Sequence, residues 1–275
     1  MNYSDIRLTH GYTIEEKLAE LTEHELHVHD ALELSIPLDR PMMYPLLDRV
    51  YYAEPGDVFL FRPFEPHWNL TREADKPARW VMVLFSPAVV SGVPRGYALL
   101  APFYMTDMPP LIPASSPHAQ AIKRLAEQAV EEASLGRPDW DVQQFTLLLQ
   151  ILVHVHRHYL EQSAERQADP SLSSLVAAIE YIIAHWSYEI DMDEVMRQTK
   201  LKKTGFYTKF KAVAGLTPNE FLARLRLQHA SHMLRHTNRS ITEIALECGF
   251  GSSSYFIKVF KQFRGMTPRQ FRAKH

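Results

Sequence analysis

The chain has 275 residues, 46% hydrophobic and 11% aromatic, with a formal net charge of −2; the length fits one or two domains, and the composition excludes wholesale disorder. Its single cysteine, Cys248, cannot close an intrachain disulfide, and no N-terminal stretch joins a basic start to an apolar run and a small-residue cleavage site, so a cytoplasmic protein is expected. The longest apolar stretch, 145–155, is broken by Gln150 and His154 and falls short of the ~20 residues a membrane span requires, so no membrane partner is expected.

Along residues 1–100, strands are expected at 33–38, 50–53, 57–62 and 79–85, which are rich in Val, Leu, Tyr, Phe and Trp, with Pro55-Gly56 as punctuation. Short strands at this spacing, without helical periodicity between them, predict a small β-barrel or sandwich. From His118 the period changes. Ile122, Leu125, Ala126 and Ala129 share one helical face, and Val142, Phe145, Leu149, Leu152 and Tyr159 form a second stripe. The polar run 162–171, with Pro170, reads as a linker. The expected organisation is therefore a domain at 1–161, a linker at 162–171 and an all-helical domain at 172–275.

The helical part contains a repeat. A shift of 50 residues superposes Phe206 on Phe256, Phe210 on Phe260, Lys211 on Lys261, Gly215 on Gly265, Thr217 on Thr267, Pro218 on Pro268 and Phe221 on Phe271. Upstream the shift becomes 49, where Asp191-x-x-Glu194 matches Ser240-x-x-Glu243, both expected to be capping boxes. Each copy reads as a capped short helix, a turn, a second helix, and Gly-x-Thr-Pro opening another, which is a helix-turn-helix with a supporting helix. Charge follows the same division: residues 171–275 hold 16 basic and 8 acidic side chains, whereas residues 1–170 carry a net −10. A polyanionic partner for the C-terminal part is expected.

The second copy, 241–256 (ITEIALECGFGSSSYF), then Phe260-Lys261 and 265–272 (GMTPRQFR), resembles the signature of the AraC/XylS family of bacterial transcription regulators. The resemblance covers the last 100 or so residues closely and the preceding β-domain, as a cupin-like effector domain, more loosely. It implies a two-domain α+β chain: a cupin-like barrel with two flanking helices, then two helix-turn-helix units that dock on double-stranded promoter DNA. By resemblance and helical phase, Lys203, Thr204, Tyr207 and Thr208 of the first unit and Ser253, Ser254, Tyr255 and Lys258 of the second are the expected base readers. Lys202, Lys209, Lys211, Lys261 and Arg269 are expected on phosphates. Thr208 stands where the family often carries Arg, so the first unit is expected to read less, and Lys202 leaves its second helix without the N-cap that Ser252 supplies in the other copy. The repeated phenylalanines and Cys248 are expected in the core.

His27-Val-His29 with Glu33, and the segment from Gly56 to His67, are similar to the two cupin motifs, in which two His, a Glu and a third His hold a metal. On a strand, i and i+2 share a face, so His27 and His29 can converge with His67. The second motif departs from the cupin pattern at Phe64-Glu-Pro, where a glycine is usual. No metal or cofactor is therefore expected. His27, His29, Glu33, Arg62, His67, Trp68 and Trp80 are expected instead to line a pocket for an organic effector, a sugar or other small polar metabolite. The leading reading is a ligand-responsive regulator, not an enzyme, dimeric through its two amphipathic helices, with RNA polymerase as a further partner of an activator. The alternative is a cupin metalloenzyme or metal sensor carrying a DNA-binding tail.

Overall fold

The computed structural model describes residues 2–3, 8, 10–19, 27–29, 31–46, 49–71, 76–106, 108–165 and 170–274. They form two compact units. The first comprises Met1–Val89, Pro102–Tyr104 and Met108–Arg166; the second comprises Val90–Ala101, Met105–Asp107 and Gln167–His275.

The first unit is β-rich, with strands β1 (Asn2–Tyr3), β2 (Tyr12–Ala19), β3 (His27–Val28), β4 (Leu32–Pro37), β5 (Met42–Pro45), β6 (Val50–Ala53), β7 (Val58–Phe61), β8 (Leu70–Thr71), β9 (Ala78–Phe85) and β10 (Leu111–Ile112). An antiparallel sheet in the order β10-β7-β4-β9-β2 accompanies a three-stranded sheet, β6-β5-β8, and a β1-β3 pair. Three of the four expected strands shift by a residue or two, and β1, β2, β5, β8 and β10 were not expected. In β2 the reason is charge: Glu15, Glu16 and Lys17 interrupt its apolar residues, which an edge strand tolerates because one side faces water. It pairs with β9 from Tyr12↔Phe85 to Ala19↔Ala78.

β4 positions the site. Leu32, Leu34 and Ile36 alternate with Glu33 and Ser35, yet the whole strand is buried, so the polar residues face inward and must find partners there. Ser35 Oγ lies 2.7 Å from Tyr44 Oη.

Behind the sheet run α1 (Pro117–Leu135), capped by Ser116 and closed by Gly136 at φ 57°, and α2 (Trp140–Glu165). The buried face of α2 is Leu147, Leu148, Ile151, Leu152, Val155 and Tyr159. This corrects the expected stripe: Val142 is 57% exposed, and Phe145 and Leu149 are half-buried. Gln144 takes the inward place near the helix start, donating to the carbonyls of Ile14 (3.2 Å) and Ala129 (3.0 Å). The expected linker is also corrected, because α2 runs past Gln162 to Glu165 and α3 begins at Pro170. Gln162, Ala164 and Glu165 are polar or small but sustain a helix well, so their composition looked like a linker while their backbone preference is helical. Residues 166–169 lie outside the described residues.

The second unit is helical: α3 (Pro170–His185), α4 (Met192–Gln198), α5 (Lys203–Ala214), α6 (Pro218–His236), α7 (Ile241–Glu247), α8 (Ser253–Arg264) and α9 (Pro268–Lys274). Phe206, Phe210 and Phe221 stack edge to face at 5.7 Å, and their counterparts Phe256, Phe260 and Phe271 do so at 5.5 and 5.4 Å. All six are buried, each contributing about 2–3 kcal/mol through burial. Cys248 packs in the second core, where burial pushes its thiol up to about 12; it is inert filler.

Ser240 with Glu243 and Thr217 with Glu220 form reciprocal capping boxes. Asp191 does not, contrary to expectation: it caps α4 through Asp193 N–H, while Glu194 pairs with Arg197. With Arg197 one turn along, the ion pair competes for the carboxylate that the box needs. Gly249, in the α7–α8 turn, adopts φ +72°, and a Cβ there would meet the Arg226 guanidinium and the Ser187 carbonyl at 2.9 Å. Arg226 is itself fixed by donating to the carbonyls of Trp186 and Tyr188, both at 2.8 Å.

One contact joins distant sequence within this unit. Thr106 N–H donates to the Val213 carbonyl at 2.6 Å, and its hydroxyl lies 3.0 Å from the same oxygen. Val213 lies in the last turn of α5, whose final carbonyls have no partner within the helix.

Candidate functional site

The backbone brings the histidines together first. His27 and His67 form an antiparallel bridge, with N···O distances of 3.2 and 3.0 Å in the two directions, and Phe64 N–H donates to the His29 carbonyl at 2.8 Å. Phe64 sits at φ 64°, in the left-handed region that glycine would occupy at lower cost. The turn geometry is thus retained without the glycine.

His29 Nε2 and His67 Nε2 lie 2.9 and 3.3 Å from Glu33 Oε2, and Asn69 Nδ2 donates to Glu33 Oε1 at 3.3 Å. The ligand atoms of His27, His29, Glu33 and His67 all fall within 4.8 Å of one another. Burial disfavours charge on Glu33, yet hydrogen bonds from His29 and His67 hold its carboxyl well below the usual carboxylate range. Burial likewise opposes a charged His67, but the bond to Glu33 raises its imidazole above the ordinary value. Phe61 stacks on His67 at 4.0 Å.

A cavity of about 210 Å³ opens on this cluster, lined by Lys17, Leu18, His27, His29, Glu33, Asn69, Trp80 and Met82. Among the described residues, two buried polar atoms on its wall, Trp80 Nε1 and Asn69 Oδ1, have no hydrogen-bond partner. A donor and an acceptor left unpaired cost about 1–3 kcal/mol each unless something in the cavity meets them.

His27, His29, Glu33, His67 and Trp80 are therefore assembled in one place, whereas Arg62 and Trp68 are not. Strand parity separates them. Arg62 follows Phe61 by one residue and lines a second cavity with Leu60 and His158; Trp68 follows His67 by one and is half-buried outside the histidine cavity. The same parity would have found Asn69, two residues after His67, and Met82, two after Trp80. On the helices a separate cluster forms: His118 lies 3.1 Å from His154 and 3.0 Å from Glu161, and its ring centroid stands 6.1 Å from that of His158.

In the helical unit, Lys203, Thr204, Thr208, Lys211, Ser254, Tyr255, Lys258 and Lys261 are exposed, and Tyr207, Lys209 and Ser253 are half-buried. The N-cap Ser252 accepts from Tyr255 N–H at 3.2 Å, while Lys202 at the matching position of α5 makes no side-chain cap. Exposed Lys202 and Arg269 flank the two second helices. Among the described residues no helix is long and apolar enough to cross a membrane.

Residues 18–152 match the model of an AraC-like ligand binding domain, and residues 195–274 match a helix-turn-helix domain model. The chain belongs to the AraC family. Among curated AraC-type relatives, the HTH-type transcriptional activator RhaS of Klebsiella pneumoniae is 36% identical over 126 residues, 46% of this chain and 44% of that protein. The RhaS of Salmonella schwarzengrund is 37% identical over the same length and shares. The chain thus matches less than half the length of these relatives. Among solved structures, an AraC-type regulator from Chromobacterium violaceum is 28% identical, with a TM-score of 0.35, covering 38% of this chain and 93% of that one. ToxT from Vibrio cholerae, bound to an unsaturated fatty acid, is 11% identical with a TM-score of 0.46, covering 95% and 94%.

Proposed function

We propose that this AraC-family chain is a ligand-responsive transcriptional regulator, in which the β-rich unit binds a small polar effector and the helical unit binds promoter DNA. The observation that carries the DNA half is the pairing of two helix-turn-helix units whose second helices expose Lys203, Thr204, Ser254 and Lys258 within a segment of 16 basic and 8 acidic residues. α6, 19 residues long, spans ~28 Å at 1.5 Å per residue, a spacing suited to successive faces of the major groove. Supporting the effector half are the unpaired Trp80 Nε1 and Asn69 Oδ1 in the histidine cavity, which match an acceptor and a donor on one molecule. A sugar or similar oxygenated metabolite has both.

Selection of bound sites from random DNA tests the reading. Affinity should fall with salt at a log–log slope of about −5 to −7, as for six to eight neutralised phosphates. Lys258→Ala should relax one base position, whereas Lys261→Ala should weaken all sequences alike. Identical selected sequences for wild type and Lys258→Ala would reduce Lys258 to a phosphate contact, and a flat salt dependence would remove the groove-docked reading.

Two copies are proposed to associate through the apolar residues that α1 and α2 leave exposed: Leu135, Val142 and Leu160. Sedimentation of the full chain at tens of micromolar should show a dimer that Val142→Glu dissociates; a monomeric wild type would exclude it. The cytoplasm is the proposed compartment, and RNA polymerase the further partner if the regulator activates.

A further inference from the structure

We infer that Arg226 is a positioning residue for DNA reading: with Gly249 it locks the second helix-turn-helix (α7–α8) to the first (α4–α5), so that the chain reads the spacing of two half-sites as well as their bases. The inference rests on the DNA reading proposed above and adds the device that holds the two reading helices in one relation. α6 sets how far apart α5 and α8 lie, but their relative rotation depends on what else joins the two helix-turn-helices. That join lies just after α3. α3 belongs with the first helix-turn-helix, packing on α4 and α5, and Ser174 Oγ donates to the Thr199 carbonyl beyond α4 at 3.4 Å. Its continuation crosses to the second, where Trp186 packs against the core that holds Ile244, Cys248, Phe250 and Phe256.

Arg226, on α6, holds the crossing. Its Nε and Nη2 donate to the carbonyls of Trp186 and Tyr188, both at 2.8 Å, and two bonds from one rigid plane fix its orientation as a lysine could not. The same guanidinium abuts the α7–α8 turn: a Cβ on Gly249 would fall 2.9 Å from Arg226 Nη2 and 2.9 Å from the Ser187 carbonyl oxygen. Residues 186–188 and Arg226 thus close on a turn with room only for glycine, which also takes the φ of +72° at little cost. From the turn the constraint passes to α8 through buried Phe250, whose ring lies 4.9 Å from Phe256 and 6.2 Å from Tyr255, one of the expected base readers. One base pair added between half-sites moves the second by ~3.4 Å and turns it by about 35°. Base-edge hydrogen bonds do not survive that shift unless the protein follows. Rigidly joined units therefore prefer one spacing, whereas units that swivel accept several and bind the best one less tightly, being less preorganised.

The test uses the full chain, a whole site selected from random DNA, the same site with one base pair inserted or removed between its halves, and each half alone, at constant salt. Wild type should bind the altered spacings more than about tenfold more weakly than the selected one. Arg226→Met keeps the apolar stem and removes the fork; it should bind the whole site about tenfold more weakly, distinguish the spacings less than about threefold, and bind each half as wild type does. Arg226→Lys, which keeps the charge, should behave like Arg226→Met, and Gly249→Ala, pressing on the same contact from the turn, should also flatten the spacing preference. A merely structural role would instead lower affinity for whole and half sites alike, and that result would overturn the inference. So would the wild-type spacing preference retained in all three variants. Wild type alone decides even if the variants do not fold: equal binding at every spacing would overturn the inference and leave DNA reading intact. Binding to the whole site no tighter than to one half would remove the two-unit reading itself.

Discussion

His229 lies flat against Trp186, with ring centroids 3.7 Å apart and planes 8° from parallel, and burial pushes its imidazole down to about 3. Below about pH 6.5 the unfolded chain takes up a proton here that the folded chain refuses until about pH 3, so stability should rise with pH across that window and fall on acidification. Each pH unit inside it is worth ~1.4 kcal/mol, so the loss between pH 7 and pH 5 should be on the order of 2 kcal/mol. His229→Phe, which keeps the stack and removes the proton, should flatten this part of the pH dependence of the denaturation midpoint. An unaltered dependence would exclude the assignment. Nothing in the sequence singles out His229, because its burial depends on Trp186, 43 positions away. The histidine cluster was legible because strand alternation is local. Arg62 and Trp68 were misplaced by the same rule, each being one residue out of phase with the inward-facing Phe61 and His67.

Among the elements, α5 and α8 are copies that differ at their first turn. Ser252 caps α8; Lys202 offers α5 no acceptor, and a lysine also places positive charge at the positive end of the helix dipole. Lys202→Ser should therefore stabilise the DNA-free chain by about 1 kcal/mol, read as a raised midpoint in chemical denaturation; an unchanged or lowered midpoint would show that α5 is held by its core alone. The duplicated helices were legible because their phenylalanines recur at i and i+4 in both copies. Edge strand β2 was not, since alternation fails where charged residues sit side by side. The end of α2 was hidden for another reason: a polar helix turn and a linker share one composition, and only packing tells them apart.

For the whole molecule, the charge division of the sequence follows its two-part architecture, but chain order does so incompletely. Thr106 belongs with the helical unit, although Tyr104 before it and Met108 after it belong with the β-rich one. The donors that complete the last turn of α5 are thus supplied from between β9 and β10. Regulators of this build invite recombination at the join between α2 and α3, where an effector half could be exchanged for another. Such a chimaera would inherit an α5 whose terminal carbonyl had lost its donor, at roughly 1 kcal/mol for a hydrogen bond surrendered to water. The natural unit of exchange would include the stretch around Thr106, so this reading helix and the crossover that caps it should be inherited together.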